Sequence, residues 1–533
     1  MTVQRFSAAR RWCAGLILSG LAALGGCRLS FISGGPNGEP FAASPEAAKA
    51  ITKAADSVRK AADSVRTVSH EVRGTHGPDL GGIYNRTAQA EDQERNPIIV
   101  IPGILGSKLV DAASGRVVWG EFGPNGINPE TPEGARAIAL PMQPGSALSD
   151  LRDEVRQAGA LTSLDINILG LPIQIGAYVD ILNALGVGGY RDREFQLRDI
   201  VYGDQHYTCF QFGYDWRRDN VENARLLHEF ILERKAYVEA ERAKRTGVRR
   251  PARFDIVAHS MGGLVARYYL MYGDADLPSD GSVPTPTWAG SEHVERLVLV
   301  GTPNAGSAGA IEQLVNGVEY ARVLPKYDAA ILGTMPAVYQ LMPRTRHQPV
   351  VEESGDQPVD VFSVAAWERF GWGLLNPDQD AVLRRLLPDV KESDRRRQVA
   401  TDHLQKCLRR ASEFHSAMDQ TAAPPRGTSI HLIAGDANPT LSQLSVKRDG
   451  RIVTQKNAPG DGTVLRTSAL MDERMTPDRP FSPRLQSPIS WSSVMFLFTD
   501  HLGMTSDPAF TDNVLFLLLE SPRTASAGLN EFE

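Results

Sequence analysis

Cysteine is scarce in this chain, with four among 533 residues, at positions 13, 27, 209 and 407. Two of them fall within the first 27 residues. That leaves Cys209 and Cys407 in the body, too few for a disulfide scaffold; one bridge or two buried thiols both fit. No group of Cys and His has zinc spacing and no His-Glu-x-x-His occurs, so neither a metal nor an organic cofactor is called for. Positive charge is not in excess either. Lys and Arg number 57 against 63 Asp and Glu, a net charge of −6, and no concentrated basic face is visible. Nucleic acid is therefore a poor partner. The one apolar run near the N-terminus is too short for a comfortable membrane span. What is present is a globular composition, 42% hydrophobic and 23% charged, enough for a large core. The length exceeds one average domain, though an α/β fold with insertions reaches it as a unit.

The N-terminus reads as an export signal over residues 1–27. Arg5, Arg10 and Arg11 precede the run Ala14-Gly15-Leu16-Ile17-Leu18, which ends in Leu24-Gly25-Gly26-Cys27. That ending resembles the bacterial lipoprotein signal, in which the cysteine becomes the acylated first residue. The expectation is a lipid anchor at Cys27, a membrane surface as partner and a place in the bacterial cell envelope. Residues 28–50, rich in Gly, Pro, Ser and Ala, read as a tether. Over 51–73 a seven-residue repeat, Ala54-Ala55-Asp56-Ser57-Val58-Arg59 then Ala61-Ala62-Asp63-Ser64-Val65-Arg66, predicts an amphipathic helix. It serves either as spacer or assembly helix, or packs on its own domain.

The body begins at Pro97-Ile98-Ile99-Val100-Ile101, a continuous apolar run typical of a strand buried on both faces. The turn Pro102-Gly103-Ile104-Leu105-Gly106-Ser107 follows. Residues 111–193 are irregular, with a helical stretch at 177–185. Phe210-Gln211-Phe212 is a short strand leading to Tyr214-Asp215-Trp216-Arg217, where Asp215 and Arg217 brace a loop. A long helix runs from Asn220, its expected N-cap, to about 245, with Gly247 as stop. After a strand and a second helix, residues 294–300 give another parallel strand. Helices are expected at 308–324, 328–341 and 389–420, all within an insertion, 305–426, of the kind that forms a cap or lid. Sheet character returns at Ser429-Ile430-His431-Leu432-Ile433. Strand–helix–strand alternation predicts an α/β fold over 97–520, a mostly parallel sheet with helices on both faces.

One stretch carries chemistry: Ile256-Val257-Ala258-His259-Ser260-Met261-Gly262-Gly263, followed by a helical run. A serine on a sharp strand-to-helix turn is held in strained backbone with its hydroxyl exposed, and needs small residues two positions to either side. Ala258 and Gly262 supply them. A serine hydroxyl needs a base, and the base an orienting acid, in the chain order Ser, acid, His. Of eleven histidines only His501 follows Lys456, and it lies just beyond the apolar run 494–498. Two acids compete. Asp461, in Gly460-Asp461-Gly462, is favoured because the glycines allow close approach; Asp436 is the alternative, read as a turn residue. The backbone N–H groups of Ile104 and Met261 are the expected oxyanion donors. His259 is read as a packing residue directed away from the site, and Asp500 as bonding local backbone.

Taken together, Ile99-Val100-Ile101-Pro102-Gly103-Ile104-Leu105-Gly106-Ser107, Tyr214-Asp215-Trp216-Arg217, Ala258-His259-Ser260-Met261-Gly262-Gly263, Gly460-Asp461-Gly462-Thr463-Val464 and Asp500-His501 resemble the lecithin:cholesterol acyltransferase family, which includes phospholipid:diacylglycerol acyltransferases and lysosomal phospholipase A2. The resemblance implies an α/β-hydrolase fold with a cap, an acyl-Ser260 intermediate, phospholipid-like donors, and Asp461 rather than Asp436. Ala258 stands where glycine is commoner in the family, and residues 111–193 match it poorly. The expected function is serine-dependent lipid acyl hydrolysis or transfer. The alternatives are a plain triacylglycerol lipase or carboxylesterase of the same fold, and a catalytically silent surface lipoprotein used for assembly.

Overall fold

The computed structural model describes residues 95–121, 126–161, 175–194, 206–319, 325–353, 357–474 and 480–523. All belong to one unit, Gly82–Glu533. The expected signal at 1–27 with Cys27, the tether at 28–50 and the helix at 51–73 lie outside the described residues.

The run that opens the body is strand β1 (Ile98–Ile101), four β-branched residues, all buried. Such side chains crowd a helix and suit a pleated, covered surface. The stretch that reads as irregular holds a small antiparallel sheet of β2 (Ser107–Asp111), β3 (Val117–Trp119) and β4 (Val155–Ala160), in the order β3-β2-β4, with helix α1 (Pro132–Ile138) between its last two strands. Strands this short, one of them with a glycine inside, offer too few residues for a period of two to stand out. Helix α2 (Ile175–Val187) extends the expected 177–185 segment at both ends.

Strand β5 (Cys209–Gln211) leads to α3 (Asn220–Thr246). Its N-cap is Asp219 rather than Asn220. The Asp219 carboxylate accepts from the Val221 N–H, whereas the Asn220 N–H donates to Gln340 Oε1 at 2.8 Å. Gly247 closes the helix at φ 74°, as expected. Then come β6 (Phe254–His259), α4 (Met261–Tyr272) and β7 (Val294–Val300).

After β7 the insertion supplies α5 (Ala308–Asn316), α6 (Ala329–Leu332), α7 (Pro336–Gln340), β8 (Val350–Glu352), α8 (Val364–Phe370), α9 (Asp380–Leu386) and α10 (Ser393–Met418). The helix expected over 308–324 stops at Asn316 because Gly317 turns to φ 75°. The one expected over 328–341 is two. Pro336 starts the second, and its ring forces Met335 into extended backbone at φ −102°, ψ 103°. Strands β9 (Ser429–Gly435), β10 (Asn438–Val446) and β11 (Ile452–Gly460), helix α11 (Arg466–Leu470), strand β12 (Ser493–Leu497) and helix α12 (Pro508–Leu515) complete the described chain.

The main sheet has the order β12-β9-β7-β6-β1-β5, every pairing parallel. Alternate residues serve opposite faces: Ile99, Ile101, Ile256, Ala258, Leu297 and Leu299 join one apolar cluster, Ile98, Val100, Val257, Val298 and Val300 the other. The second face is covered by α2 and α12 through Ile181, Leu185, Phe510 and Val514. The first is covered by α3, α4 and, continuous with them, the insertion helices. Each fully buried aliphatic chain contributes about 1.5–3 kcal/mol, so both layers are bound firmly to the sheet. This is the α/β-hydrolase fold. Cys209 on β5 and Cys407 on α10 are two buried free thiols, not a bridge. No helix among the described residues is long and apolar enough to cross a membrane.

Candidate active site

A parallel sheet delivers the C-terminal ends of all its strands to one edge, and the connections that leave there converge. Ser260 leaves β6 and caps α4 with φ 51° and ψ −126°, a conformation that costs an L-residue energy and turns the chain sharply. The turn is possible because Gly262 has no side chain. A Cβ there would lie 2.3 Å from the Pro102 carbonyl oxygen and 2.8 Å from Ile101 Cγ2.

His501 follows β12, as expected, and Asp461 follows the β10–β11 hairpin that leaves β9. His501 Nε2 is 3.2 Å from Ser260 Oγ, and His501 Nδ1 is 2.8 Å from Asp461 Oδ2. The His501 N–H also donates to the Asp461 carbonyl at 2.9 Å, which ties the two loops together. A carboxylate only accepts, so Nδ1 carries the proton and Nε2 is left to accept from the serine hydroxyl. The three residues are 4%, 3% and 2% exposed for Ser260, His501 and Asp461.

Burial opposes the charge on Asp461, but the neighbouring imidazole and the N–H groups of Val464 and Thr463 outweigh it and hold the carboxyl below its ordinary range. Those N–H groups donate to Oδ1 at 2.6 and 2.9 Å. The competing acid is elsewhere. Asp436 faces Arg466 at 3.8 Å, and its own N–H donates to the Leu497 carbonyl. Asp500 accepts from the Leu502 and Gly503 N–H groups, the local bonding anticipated for it.

Met261 is the first residue of α4, directly after Ser260, so its N–H has no acceptor within the helix. Ile104 lies in the turn after β1, where Leu105 takes φ 66°. That turn is held from several sides. Trp119 Nε1 donates to the Leu105 carbonyl at 2.8 Å, the Tyr214 hydroxyl to the Pro102 carbonyl at 3.0 Å, and the Tyr214 N–H to Ser107 Oγ at 3.0 Å. Trp216 packs edge-on to Trp119 with centroids 5.3 Å apart. Beneath them Arg217, fully buried, grips Asp215 with two bonds of 3.0 and 2.7 Å and reaches Asp153 at 3.0 Å. Trp119, Tyr214 and Ser107 thus brace the turn after β1, while Arg217 ties Asp215 to Asp153 and to the Ile138 carbonyl at the end of α1.

Two neighbours of the base escaped the sequence reading. His259 is not directed away from the site. Its ring lies 5.0 Å from the His501 ring, and its Nε2 is 3.4 Å from the His501 carbonyl oxygen. Burial, and after it the adjacent imidazole, push its pKa down to about 3, so it remains neutral. The reason is geometric: alternation along β6 places it on the face opposite Ala258, and the loop after β12 passes over that face. Gly301, directly after β7, takes φ 57°, and a Cβ there would stand 3.2 Å from the His501 ring. A glycine immediately after a parallel strand was the available signal. Among the described residues no group of His, Cys, Asp and Glu could hold a metal ion.

Residues 197–372 match the protein family described as lecithin:cholesterol acyltransferase, the family that the motifs resemble. The match includes Ser260; Asp461 and His501 lie beyond it. No curated protein matches the chain. Among solved structures, one chain of the Tle4–Tli4 complex is 17% identical, with 80% of this chain and 99% of that chain aligned at a TM-score of 0.51, and shares the fold. The Bacillus licheniformis lipase BlEst2 in propeptide form is 12% identical over 83% of this chain and 54% of that one, at a TM-score of 0.31. Lipase 1 from Pelosinus fermentans is 13% identical over 80% and 99%, at 0.30.

Proposed function

We propose, from the likeness of residues 197–372 to the lecithin:cholesterol acyltransferase family, that this protein is a lipid-ester hydrolase or acyltransferase that works through an acyl-Ser260 intermediate. One observation carries the reading: Ser260, His501 and Asp461, from three separate loops, meet in a chain of contacts of 3.2 and 2.8 Å shut away from water. His501 Nε2 takes the proton of Ser260 as Oγ attacks the ester carbonyl. The imidazolium formed is stabilised by Asp461. Negative charge grows on the carbonyl oxygen, and the N–H groups of Met261 and Ile104 stabilise it; each such donor is worth about 3 kcal/mol. The tetrahedral intermediate collapses, His501 returns the proton to the departing alcohol, and the acyl group stays on Ser260. Water, or a second alcohol, then reverses the sequence and releases it.

Hydrolysis and transfer use the same side chains and differ in which hydroxyl reaches the acyl-enzyme. The acyl donor is an ester-linked chain of the phospholipid class, and residues 305–426 act as the cap over it. Acylation of Cys27 after export would hold the enzyme at a membrane of the bacterial cell envelope, beside such substrates.

A fluorophosphonate label followed by mass spectrometry tests the nucleophile. It should modify the folded wild type at Ser260 and leave Ser260→Ala unmodified. An unlabelled wild type would favour a silent surface lipoprotein. Lipid product analysis with mixed phospholipids, with and without diacylglycerol or sterol, then separates free fatty acid from a new ester.

A further inference from the structure

The turn that carries Asp461 is held by two hydroxyl groups from other segments. Thr440, on β10 and 1% exposed, accepts from the Gly462 N–H at 2.8 Å and donates to the Asn438 carbonyl at 3.1 Å. Gly460 lies directly on it: a Cβ there would stand 2.4 Å from Thr440 Oγ1. Ser307 Oγ donates to the Thr463 carbonyl at 2.7 Å. Ser307 is the N-cap residue of α5, and a serine in that position ordinarily accepts from its own helix. Here its side chain makes no cap bond and turns to the Asp461 loop instead.

Each hydroxyl grips one end of a planar peptide whose other end serves the site. The Thr463 carbonyl and the Val464 N–H form one such peptide. Ser307 holds its oxygen, and its N–H donates to Asp461 Oδ1 at 2.6 Å. The Asp461 carbonyl and the Gly462 N–H form the other. Thr440 holds its N–H, and its oxygen accepts from the His501 N–H at 2.9 Å. A bond at one end of an amide polarises it and strengthens the bond at the other.

Both supports lead to residues 305–426. Ser307 belongs to that insertion. Thr440 reaches it along β10, where Leu444, Ser445 and Val446 pair with Val350, Val351 and Glu352 of β8. At the start of the insertion the Ser468 hydroxyl donates to the Gly306 carbonyl at 2.6 Å and Asn304 Nδ2 to the Ala469 carbonyl at 2.8 Å, so α11, which follows the turn, is tied there as well. We infer that Thr440 and Ser307 are positioning residues that set the Asp461 carboxylate on His501, so that the contact between acid and base depends on how the insertion is seated. This rests on the role proposed above for Asp461.

The test measures turnover of a soluble p-nitrophenyl ester and the thermal midpoint of the full chain as wild type, Thr440→Val, Thr440→Ser, Ser307→Ala, Asp461→Asn and Thr440→Val/Asp461→Asn. Thr440→Val loses the hydroxyl at nearly constant volume and should lower kcat about ten-fold, with KM within about two-fold of wild type. Thr440→Ser should restore most of the loss, and Ser307→Ala should lower kcat about five-fold. In the Asp461→Asn background Thr440→Val should cost less than about two-fold, because a residue that acts through the acid has nothing left to act on. Wild-type kcat in both Thr440→Val and Ser307→Ala overturns the inference. So does a loss equally large with and without the Asp461 carboxylate, or one that Thr440→Ser shares. Should Thr440→Val not fold, Ser307→Ala and Ser307→Ala/Asp461→Asn decide by the same criteria. A wild type without turnover, or one that Asp461→Asn leaves fully active, overturns instead the assignment of the acid, and the inference with it.

Discussion

Replacement of Asp461 by asparagine is the perturbation whose effect the geometry defines most closely. Asp461 Oδ1 accepts from the N–H groups of Thr463 and Val464 at 2.9 and 2.6 Å, while Oδ2 faces His501 Nδ1 at 2.8 Å. An asparagine must keep its carbonyl oxygen on the two N–H groups, because reversal would set its NH₂ against two donors. Its NH₂ therefore points at His501 and can only donate. His501 Nδ1 has to become the acceptor, the ring proton moves to Nε2, and Nε2 then meets the Ser260 hydroxyl as a donor. A base already carrying its proton cannot accept one. In a serine protease the same change lowers kcat by about 10⁴, roughly 5.4 kcal/mol of barrier, with the geometry intact. Asp461→Asn is expected to reduce kcat on a soluble p-nitrophenyl ester by 10³–10⁴, with a thermal midpoint near that of the wild type. Asp436→Asn, which removes only a 3.8 Å contact to Arg466, should change kcat by less than about two-fold. If Asp461→Asn retains a tenth of wild-type turnover, or Asp436→Asn loses as much as Asp461→Asn does, the proton pathway described here is wrong.

Gly263→Ala would put a Cβ 1.9 Å from Thr302 Oγ1 and 2.8 Å from Thr302 Cγ2, so a loss of about 1–3 kcal/mol is expected in urea unfolding. Thr302→Ala should recover part of it, and a double variant no better than the single would place the clash elsewhere. Asp255 is fully buried against Arg523 at 2.8 Å, with Asn96 Nδ2 at 3.1 Å. Arg523→Ala should cost about 3 kcal/mol, at the low end for a broken buried pair because Asn96 remains; a loss below about 1 kcal/mol would show the pair to be unimportant. Burial pushes His403 down to about 4 and His415 to about 3, each with Nε2–H donating to a carbonyl, of Thr334 and Gln340. An unfolded chain protonates near pH 6.5, so below that pH it binds protons the native state refuses. Stability is complete above about 6.5 and falls toward pH 5, by up to about 1.4 kcal/mol per unit per histidine; a flat stability profile in that window would refute this.

The nucleophile was legible because its constraint is local. Ala258, Gly262 and the switch from β-branched to helical residues all lie within ten positions of Ser260. His501 was legible by order, as the last histidine, just beyond the apolar run 494–498. Asp461 needed the glycines beside it, and Asp436, also directly after a strand, is its equal by order alone. What separates them is the β10–β11 hairpin, whose many polar residues, Gln443, Thr454, Gln455 and Lys456 among them, give no strand signal because its faces are half solvated. Pro336, within the helix expected over 328–341, is the residue that divides it, since its ring keeps Met335 out of helical backbone. His259 was misplaced for a different reason. Strand alternation told which face it takes, but only the path of a loop some 240 residues later tells what covers that face.

Cys209 and Cys407 have a use that their chemistry would not suggest. Burial raises both thiols well above their ordinary range, so a maleimide or iodoacetamide can reach either only when the surrounding structure opens. One sits on the edge strand β5, the other on the insertion helix α10. Alkylation rates at the two positions are thus paired intrinsic clocks, one for fraying of the sheet and one for release of the helices. Vesicles that accelerate Cys407 while leaving Cys209 unchanged would report a hinged opening of the insertion without any engineered label.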